Sequence, residues 1–264
     1  MTAMVTKGID VSTIQGAVNW DKVNCDFAMI KATQGRGEGA ATRLLKRFTD
    51  SRFKYNIVRC RCPRGVYHYL TARTKEGAIE EIDYFCKVIA PYRTHISLWA
   101  AVDVESVYLN GLGRTELTAV VRTALNRVER NGFKPMLYTN PNFLKYRFEA
   151  NAFDDCPIWL AHWGVKTPIS VPNLQIWQYG TTTVPGIAKA CDGDVGYFGS
   201  TESKPAVTYK PGDKYTLAEG DVYTNGVAVP KAYWGRTYTV YEVKPDAILI
   251  KEILSWVKVP RGGR

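Results

Sequence analysis

Eight short apolar runs, separated by amphipathic stretches over the first two hundred residues, constrain this chain more than any other feature. Lys7–Val11, Phe27–Thr33, Val66–Leu70, Leu98–Val104, Pro135–Tyr138, Ile158–Ala161, Leu174–Tyr179 and a short stretch near Ala190 have the length and residue types of strands. Between them, Ala41–Phe53, Lys75–Ile89, Thr115–Asn131 and Pro141–Ala150 read as helices. Thr115 is a sensible helix start and Gly132 a sensible stop. This alternation argues for an α/β parallel sheet or barrel, and eight strands suggest closure. Two hundred residues fall short of the roughly 250 of a complete (β/α)8 barrel. The spacing also tightens after Tyr138, so the last units are expected to lack full helices. The expectation for residues 1–200 is an irregular TIM-like barrel.

The texture changes at Gly199–Asp213, a Pro, Gly and Ser-containing stretch that reads as a linker over residues 201–213. Beyond it, Tyr215–Leu217, Tyr238–Val243, Ile248–Ile250 and Trp256–Val259 are short β-prone runs broken by Asn225-Gly226, Gly235 and Pro245-Asp246. Asn-Gly predicts a tight hairpin. Residues 214–264 are therefore expected to form a small all-β barrel with a frayed RGGR tail.

The net charge of +10 calls for an acidic partner. The basic residues are scattered, and no zinc-finger spacing or aromatic ribonucleoprotein stretch is present, which disfavours nucleic acid. No apolar run is long enough for a signal h-region or a membrane span, so no membrane insertion is expected. The six cysteines (Cys25, Cys60, Cys62, Cys86, Cys156 and Cys191) lack paired zinc-ligand spacing and read as buried or incidental thiols.

Chemistry enters at Ala100-Ala101-Val102-Asp103-Val104-Glu105-Ser106. Burying a carboxylate costs on the order of several kcal/mol unless it is paired or used. Residues two apart on a strand share a face, so Asp103 and Glu105 point the same way at a strand's C-terminal end, where α/β barrels carry their chemistry. Asp10 holds a similar position in Gly8-Ile9-Asp10-Val11-Ser12, and a third cluster follows in Cys191-Asp192-Gly193-Asp194. One such Asp is ordinarily a cap or turn residue. Three clusters point to glycoside hydrolysis or to an oxygen-ligated metal. Aromatic residues recur at the strand ends: Tyr67-His68-Tyr69, Tyr138, Trp159, His162-Trp163 and Trp177-Gln178-Tyr179. Sugar rings stack on aromatic faces, which favours a carbohydrate groove.

Together these residues resemble glycoside hydrolase family 25, the Chalaropsis-type lysozymes found among phage endolysins and bacterial autolysins. The resemblance runs through GIDVSTIQGAVNWDKV, FAMIKATQG, GVYHY, AAVDVES, KPMLYTNPNFL, PIWLAHWG and LQIWQYG…VPGIAKACDGDVGYF, nearly all of residues 5–199. It implies a flattened barrel of eight strands and about five helices. It also implies cleavage of the β-1,4 bond between N-acetylmuramic acid and N-acetylglucosamine in peptidoglycan, without a cofactor or metal. By the same resemblance Glu105 is the general acid, Asp103 and Asp10 are its acidic partners, and Asp192 is the late acid, with Asp194 as the alternative. Tyr67, His68, Tyr69, Tyr138, Trp159, His162, Gln178, Gln34 and Asp194 are expected to contact the glycan. Many relatives carry Glu where this chain has Gln34, a change expected to alter one polar groove contact. The C-terminal part resembles a Src-homology-3-like wall-binding module, with Tyr233, Trp234 and Trp256 as candidate ligand-face residues.

Asp103 and Asp10 are expected to raise the proton affinity of Glu105 while remaining ionised themselves. The basic surface suits anionic wall polymers. Without a signal peptide, such an enzyme is expected to reach the wall by holin-type release. The competing readings are a non-catalytic wall-binding protein and a metal-dependent wall amidase or deacetylase.

Overall fold

The computed structural model describes residues 5–35, 46–198, 209–217, 221, 223–225, 227–244 and 247–258. The chain divides into two compact units, Met1–Ser200 and Thr201–Arg264. In the first, β1 (Thr6–Val11), β2 (Phe27–Gln34), β4 (Arg64–Tyr69), β5 (Ala100–Asp103), β6 (Pro135–Thr139), β7 (Ile158–Ala161), β8 (Leu174–Thr182) and β9 (Cys191–Gly196) close into an eight-stranded barrel. A two-residue strand, β3 (Phe48–Thr49), is appended to β2. Strands β1 to β8 of the barrel run parallel, whereas β9 is antiparallel to both β8 and β1. The reversal follows from the short β8–β9 connection: a parallel return needs a crossover of a dozen residues or so, and an antiparallel one does not.

Three α-helices accompany the barrel among the described residues: α1 (Phe53–Arg59), α2 (Lys75–Ile89) and α3 (Arg114–Arg130). Helix α2 is capped by the Thr74 hydroxyl, which accepts from Gly77 N, and buries Ala78, Ile82, Phe85, Cys86 and Ile89 at helical spacing. Helix α3 buries Leu117, Val120, Val121, Ala124, Leu125 and Val128, and the chain turns away at Gly132, whose φ is +76°. These faces pack against the outward residues of the strands, including Ala28, Ile30, Val66, Val102 and Leu137. Both faces of β2, β4, β5 and β6 are thus largely covered, and β2, β5 and β6 read as nearly continuous apolar runs.

Two expected helices differ. Of Ala41–Phe53, residues 41–45 lie outside the described residues. The remainder forms β3 and a turn in which Asp50 accepts from Thr13 N (2.8 Å) and Arg52 N (2.9 Å), so the helix starts only at Phe53. Pro141–Ala150 shrinks to one π-type turn over Phe143–Arg147, closed by Phe148 N donating to Phe143 O. Phe148 is buried there against Phe143 and Phe153, which ends the helix early.

Inside the barrel, Phe27, Met29, Tyr67, Ala101, Met136, Tyr138, Trp159 and Ile176 form a second core. The rings fit because glycines stand opposite them. A Cβ on Gly8 would lie 2.1 Å from the Phe27 ring, and one on Gly65 would lie 2.5 Å from Met29 Sδ. This floor fixes the alternation along each strand: a residue two places from a floor residue faces inward with it, until a β-bulge such as the one between Lys31 and Thr33 shifts the register.

The second unit is a four-stranded antiparallel sheet of β10 (Lys214–Thr216), β11 (Thr237–Lys244), β12 (Ala247–Ile250) and β13 (Ser255–Lys258). Leu217, Val229, Tyr238, Val240, Ile248, Ile250 and Val257 make its core. Gly226, Pro245, Asp246 and the terminal RGGR, on which sequence expectations rested, lie outside the described residues.

Outside the barrel, His68 and Glu81 are fully buried between β4 and α2. His68 Nε2 donates to Glu81 Oε2 (2.8 Å), which also accepts from Thr71 N (3.0 Å). The Thr71 hydroxyl donates to Glu81 Oε1 (2.7 Å), and His68 Nδ1 lies 2.7 Å from Thr33 Oγ1. Glu81→Ala strands these groups, and urea denaturation should show a loss of about 3–5 kcal/mol. Glu81→Gln keeps an acceptor and should lose less.

Candidate active site

The parallel strands deliver their C-terminal ends to one mouth of the barrel. Asp10 stands near the end of β1, Lys31 and Gln34 on β2, Tyr69 on β4, Asp103 on β5 and Tyr138 on β6. The antiparallel β9 starts where the others finish, so its first acid, Asp192, pairs directly with Asp10. Glu105 follows β5 and opens to solvent, whereas Asp10 and Asp103 are each about 5% exposed. Four carboxylates therefore share one mouth, two sunk onto the apolar floor and two at its rim.

Gln178 on β8 organises one side. Its amide nitrogen donates to Asp10 Oδ2 (2.8 Å). Its carbonyl oxygen accepts from the Tyr138 hydroxyl (3.0 Å) and from Trp163 Nε1 (2.9 Å). The Tyr138 hydroxyl also lies 3.5 Å from Glu105 Oε2. On the other side, Lys31 Nζ donates to Gln34 Oε1 (2.8 Å) and stands 5.2 Å from the centre of the Tyr69 ring.

Electrostatics follow from this layering. Burial raises the proton affinity of Asp10, and the like charges of Asp192 and Glu105 add to it. Gln178 and Lys31 oppose the rise, which reaches about 8. Asp103 is also pushed well above the carboxylate range, first by burial and then by Glu105, with Lys31 opposing. Asp103 Oδ1 has no hydrogen-bond partner among the described residues, so its ionised form is poorly compensated. Glu105 is raised too, by burial first and by Asp192, against its contact with Tyr138 and the charge of Lys31. Burial is the largest cause at each of these three acids, and like charges add to it, Glu105 at Asp10 and Asp103 and Asp192 at Glu105. Lys31 itself is lowered by burial and supported by Asp103, Asp50, Glu105 and Asp10.

Several expected glycan contacts lie elsewhere. His68 has the opposite parity from Tyr67 and Tyr69 and lies under α2. Trp159, 1% exposed, is part of the floor, edge-on to Tyr67 and Tyr138. Asp194, also 1% exposed, lies two residues deeper than Asp192, and its Oδ1 accepts from Trp159 Nε1 (2.9 Å). Tyr67 is 8% exposed and belongs to the same inner layer. His162 folds onto its own loop, where Nδ1 accepts from Ile169 N (3.2 Å). Its neighbour Trp163, half-exposed, is the ring that reaches the mouth. Gln34 is 6% exposed and touches Lys31 rather than lining an open groove. Lys31 is absent from the sequence reading, and Trp163 enters it only as one of the strand-end aromatics. Both follow from parity: Phe27, Met29 and Lys31 share one face, as do Trp159, Ala161 and Trp163.

In the second unit, Tyr233 and Trp234 are partly buried against the small core, and Trp234 Nε1 donates to Val229 O (3.0 Å). Trp256 is half-buried with Lys244 Nζ 3.9 Å from its ring centre. Among the described residues, no three His, Cys, Asp or Glu side chains are arranged to hold a metal ion. No described helix is long and apolar enough to cross a membrane.

A model of glycosyl hydrolases family 25 matches residues 9–187, the segment that carries Asp10, Asp103 and Glu105. The chain belongs to this family. Its family 25 portion is 28% identical over 207 residues to lysozyme M1 of Streptomyces globisporus, covering 72% of this chain and 65% of that protein. It is also 28% identical over 195 residues to the autolytic lysozyme of Clostridium acetobutylicum, covering 71% and 55%. The chain thus spans less than two thirds of either relative. The crystal structure of the bacterial lysozyme from Streptomyces coelicolor superposes with a TM-score of 0.59 at 25% identity, covering 73% of this chain and 92% of that one.

Because folding raises the proton affinity of Asp10 from 3.8 to about 8, the native state holds a proton that the unfolded chain releases. The stability this group contributes is full below about pH 4 and is lost as pH rises to about 8. A melting-temperature series from pH 4 to 9 should show wild type declining more steeply than Asp10→Asn, with the variant the more stable at the alkaline end.

Proposed function

We propose that this family 25 chain is a peptidoglycan hydrolase, a muramidase that cuts the β-1,4 bond between N-acetylmuramic acid and N-acetylglucosamine. The observation that carries the reading is the placement of Glu105: a solvent-facing acid of raised proton affinity at the rim of a buried carboxylate pair. A glycosidase needs a carboxylic acid that is still protonated when the substrate arrives and can reach the leaving oxygen. We assign this role to Glu105, the exposed acid of the mouth whose proton affinity is raised. Asp10, Asp103 and Asp192 lie around it, where positive charge developing at the anomeric carbon favours their ionised forms. Tyr138 and Gln178 orient the rim, and Tyr69 and Trp163 offer rings to the sugar. The two named relatives are both lysozymes, which supports the same bond and substrate.

We further read the chain as endolysin-like, acting at the bacterial wall. In this reading the second unit is a Src-homology-3-like wall-binding module, with Tyr233, Trp234 and Trp256 contributing to its ligand face. The net charge of +10 favours attraction to anionic wall polymers.

Wall lysis combined with analysis of the released muropeptides tests the assignment. Wild type should produce new reducing ends at N-acetylmuramic acid, unaffected by a strong chelator, and Glu105→Gln should be slower by about 10²–10⁴-fold. Free amines, chelator-sensitive activity, or equal lysis by the variant would overturn it.

The surroundings of Glu105 also set a pH signature. An acid catalyst loses activity as pH rises through its proton affinity. Asp192→Asn removes a like charge and should move the alkaline limb of kcat/KM to lower pH. Lys31→Met removes the opposing cation and should move it to higher pH.

A further inference from the structure

Three of the six cysteines meet at the end of the barrel away from the carboxylates. Cys25 precedes β2, and Cys60 and Cys62 precede β4, so all three lie at the N-terminal ends of parallel strands. Cys25 Sγ is 2.9 Å from Cys62 Sγ, and Cys60 Sγ is 3.4 Å from the same atom. All three are free thiols, Cys60 buried and the other two half-buried.

Flanking contacts hold the two loops together independently of the sulfurs. Asp26 N donates to Lys7 O (2.8 Å), and Lys7 N donates to Asp26 Oδ2 (2.7 Å), which fixes the chain next to Cys25. Ala28 N donates to Pro63 O (3.0 Å), tying the start of β2 to the residue after Cys62. Arg61 pairs with Asp21 across the same two loops. The Arg64 guanidinium donates to Ile57 O (3.1 Å) and to Cys60 O, holding the turn that carries both later cysteines. The two loops are thus pinned on either side of a sulfur–sulfur contact, which brings the two thiols within reach of a cross-link.

We propose that Cys25 and Cys62 are a disulfide-forming pair that staples the β1–β2 loop to the α1–β4 turn under oxidising conditions, with Cys60 remaining a thiol beside the bond. The pair closes a loop of 37 residues in sequence separation, whereas Cys60 and Cys62 are separated by one residue and would gain little by being joined. The same three residues do not qualify as a metal-holding group, which favours the covalent reading over a thiolate cation site. The oxidant is a small-molecule disulfide. One thiol of the pair attacks it, forming a mixed disulfide and expelling one reduced thiol. The second thiol then attacks the protein sulfur of that mixed disulfide and expels the other half. The protein loses two electrons and two protons, and the oxidant gains them as two thiols. Contact with Cys25, with burial adding to it, pushes the Cys62 thiol up to about 12, so the closure should accelerate with pH above neutrality. The staple lies away from the carboxylates and does not require that the chain cut peptidoglycan.

The test is incubation of the full chain with oxidised glutathione at pH 8.5, then denaturation, alkylation with N-ethylmaleimide, intact mass and a non-reducing peptide map. Four alkylated cysteines, a mass 2 Da lower before alkylation, and one cross-linked peptide joining Cys25 to Cys62 are expected. The melting temperature should rise by roughly 5–10 °C, reversibly with dithiothreitol. Cys60→Ser should keep the cross-link and Cys62→Ser should lose it. Because wild type alone gives the mass and the map, the test survives a variant that fails to fold. Six alkylated cysteines after oxidation, a Cys60–Cys62 link, a retained glutathione adduct, or a link that lowers the melting temperature would each overturn the proposal.

Discussion

The seating of Asp10 and Asp103 on an apolar floor is the constraint from which the rest of the site follows. Phe27, Met29, Tyr67, Tyr138 and Trp159 fill the barrel interior as an apolar layer. With Lys31 as the cation that acts on all of Asp10, Asp103 and Glu105, the mouth cannot carry four full negative charges at low cost. Protons are therefore retained, and retained most strongly where burial is deepest. At the rim, Glu105 is raised by its own burial and by the charge of Asp192, against Tyr138 and Lys31.

Much of this was legible in the sequence because a strand's period is two and a barrel has an inside. Asp103 and Glu105 share a face by spacing alone. Asp10 is legible as an acid at the end of an apolar strand, in Gly8-Ile9-Asp10-Val11-Ser12. The errors came from reading motifs as contiguous patches. Tyr67-His68-Tyr69 was taken whole, although the middle residue of any strand triplet faces the other way, and His68 lies under α2 with Glu81. His162 and Trp163 stand side by side after one strand, and it is Trp163 that has the parity of Trp159 and Ala161.

What parity cannot supply is depth. Asp192 and Asp194 lie on the same face, and only the reversed direction of β9 tells which reaches the mouth. Because β9 begins at the end where the parallel strands stop, its first acid is at the rim, opposite Asp10, and its second is below, against Trp159. That direction was hidden because a short final strand after a loop reads alike either way. The helix over Pro141–Ala150 was lost for a similar reason: burial of Phe148 against Phe143 and Phe153 outweighed local helical spacing.

Gln34 bears on the same constraint through its contact with Lys31. A glutamate there would pair its charge with Lys31, drawing the ammonium toward β2 and weakening its pull on the aspartates. The neutral amide still accepts from Lys31 at 2.8 Å but leaves the full positive charge to the carboxylates. Through this contact Gln34 bears on Asp10, Asp103 and Glu105 by way of Lys31.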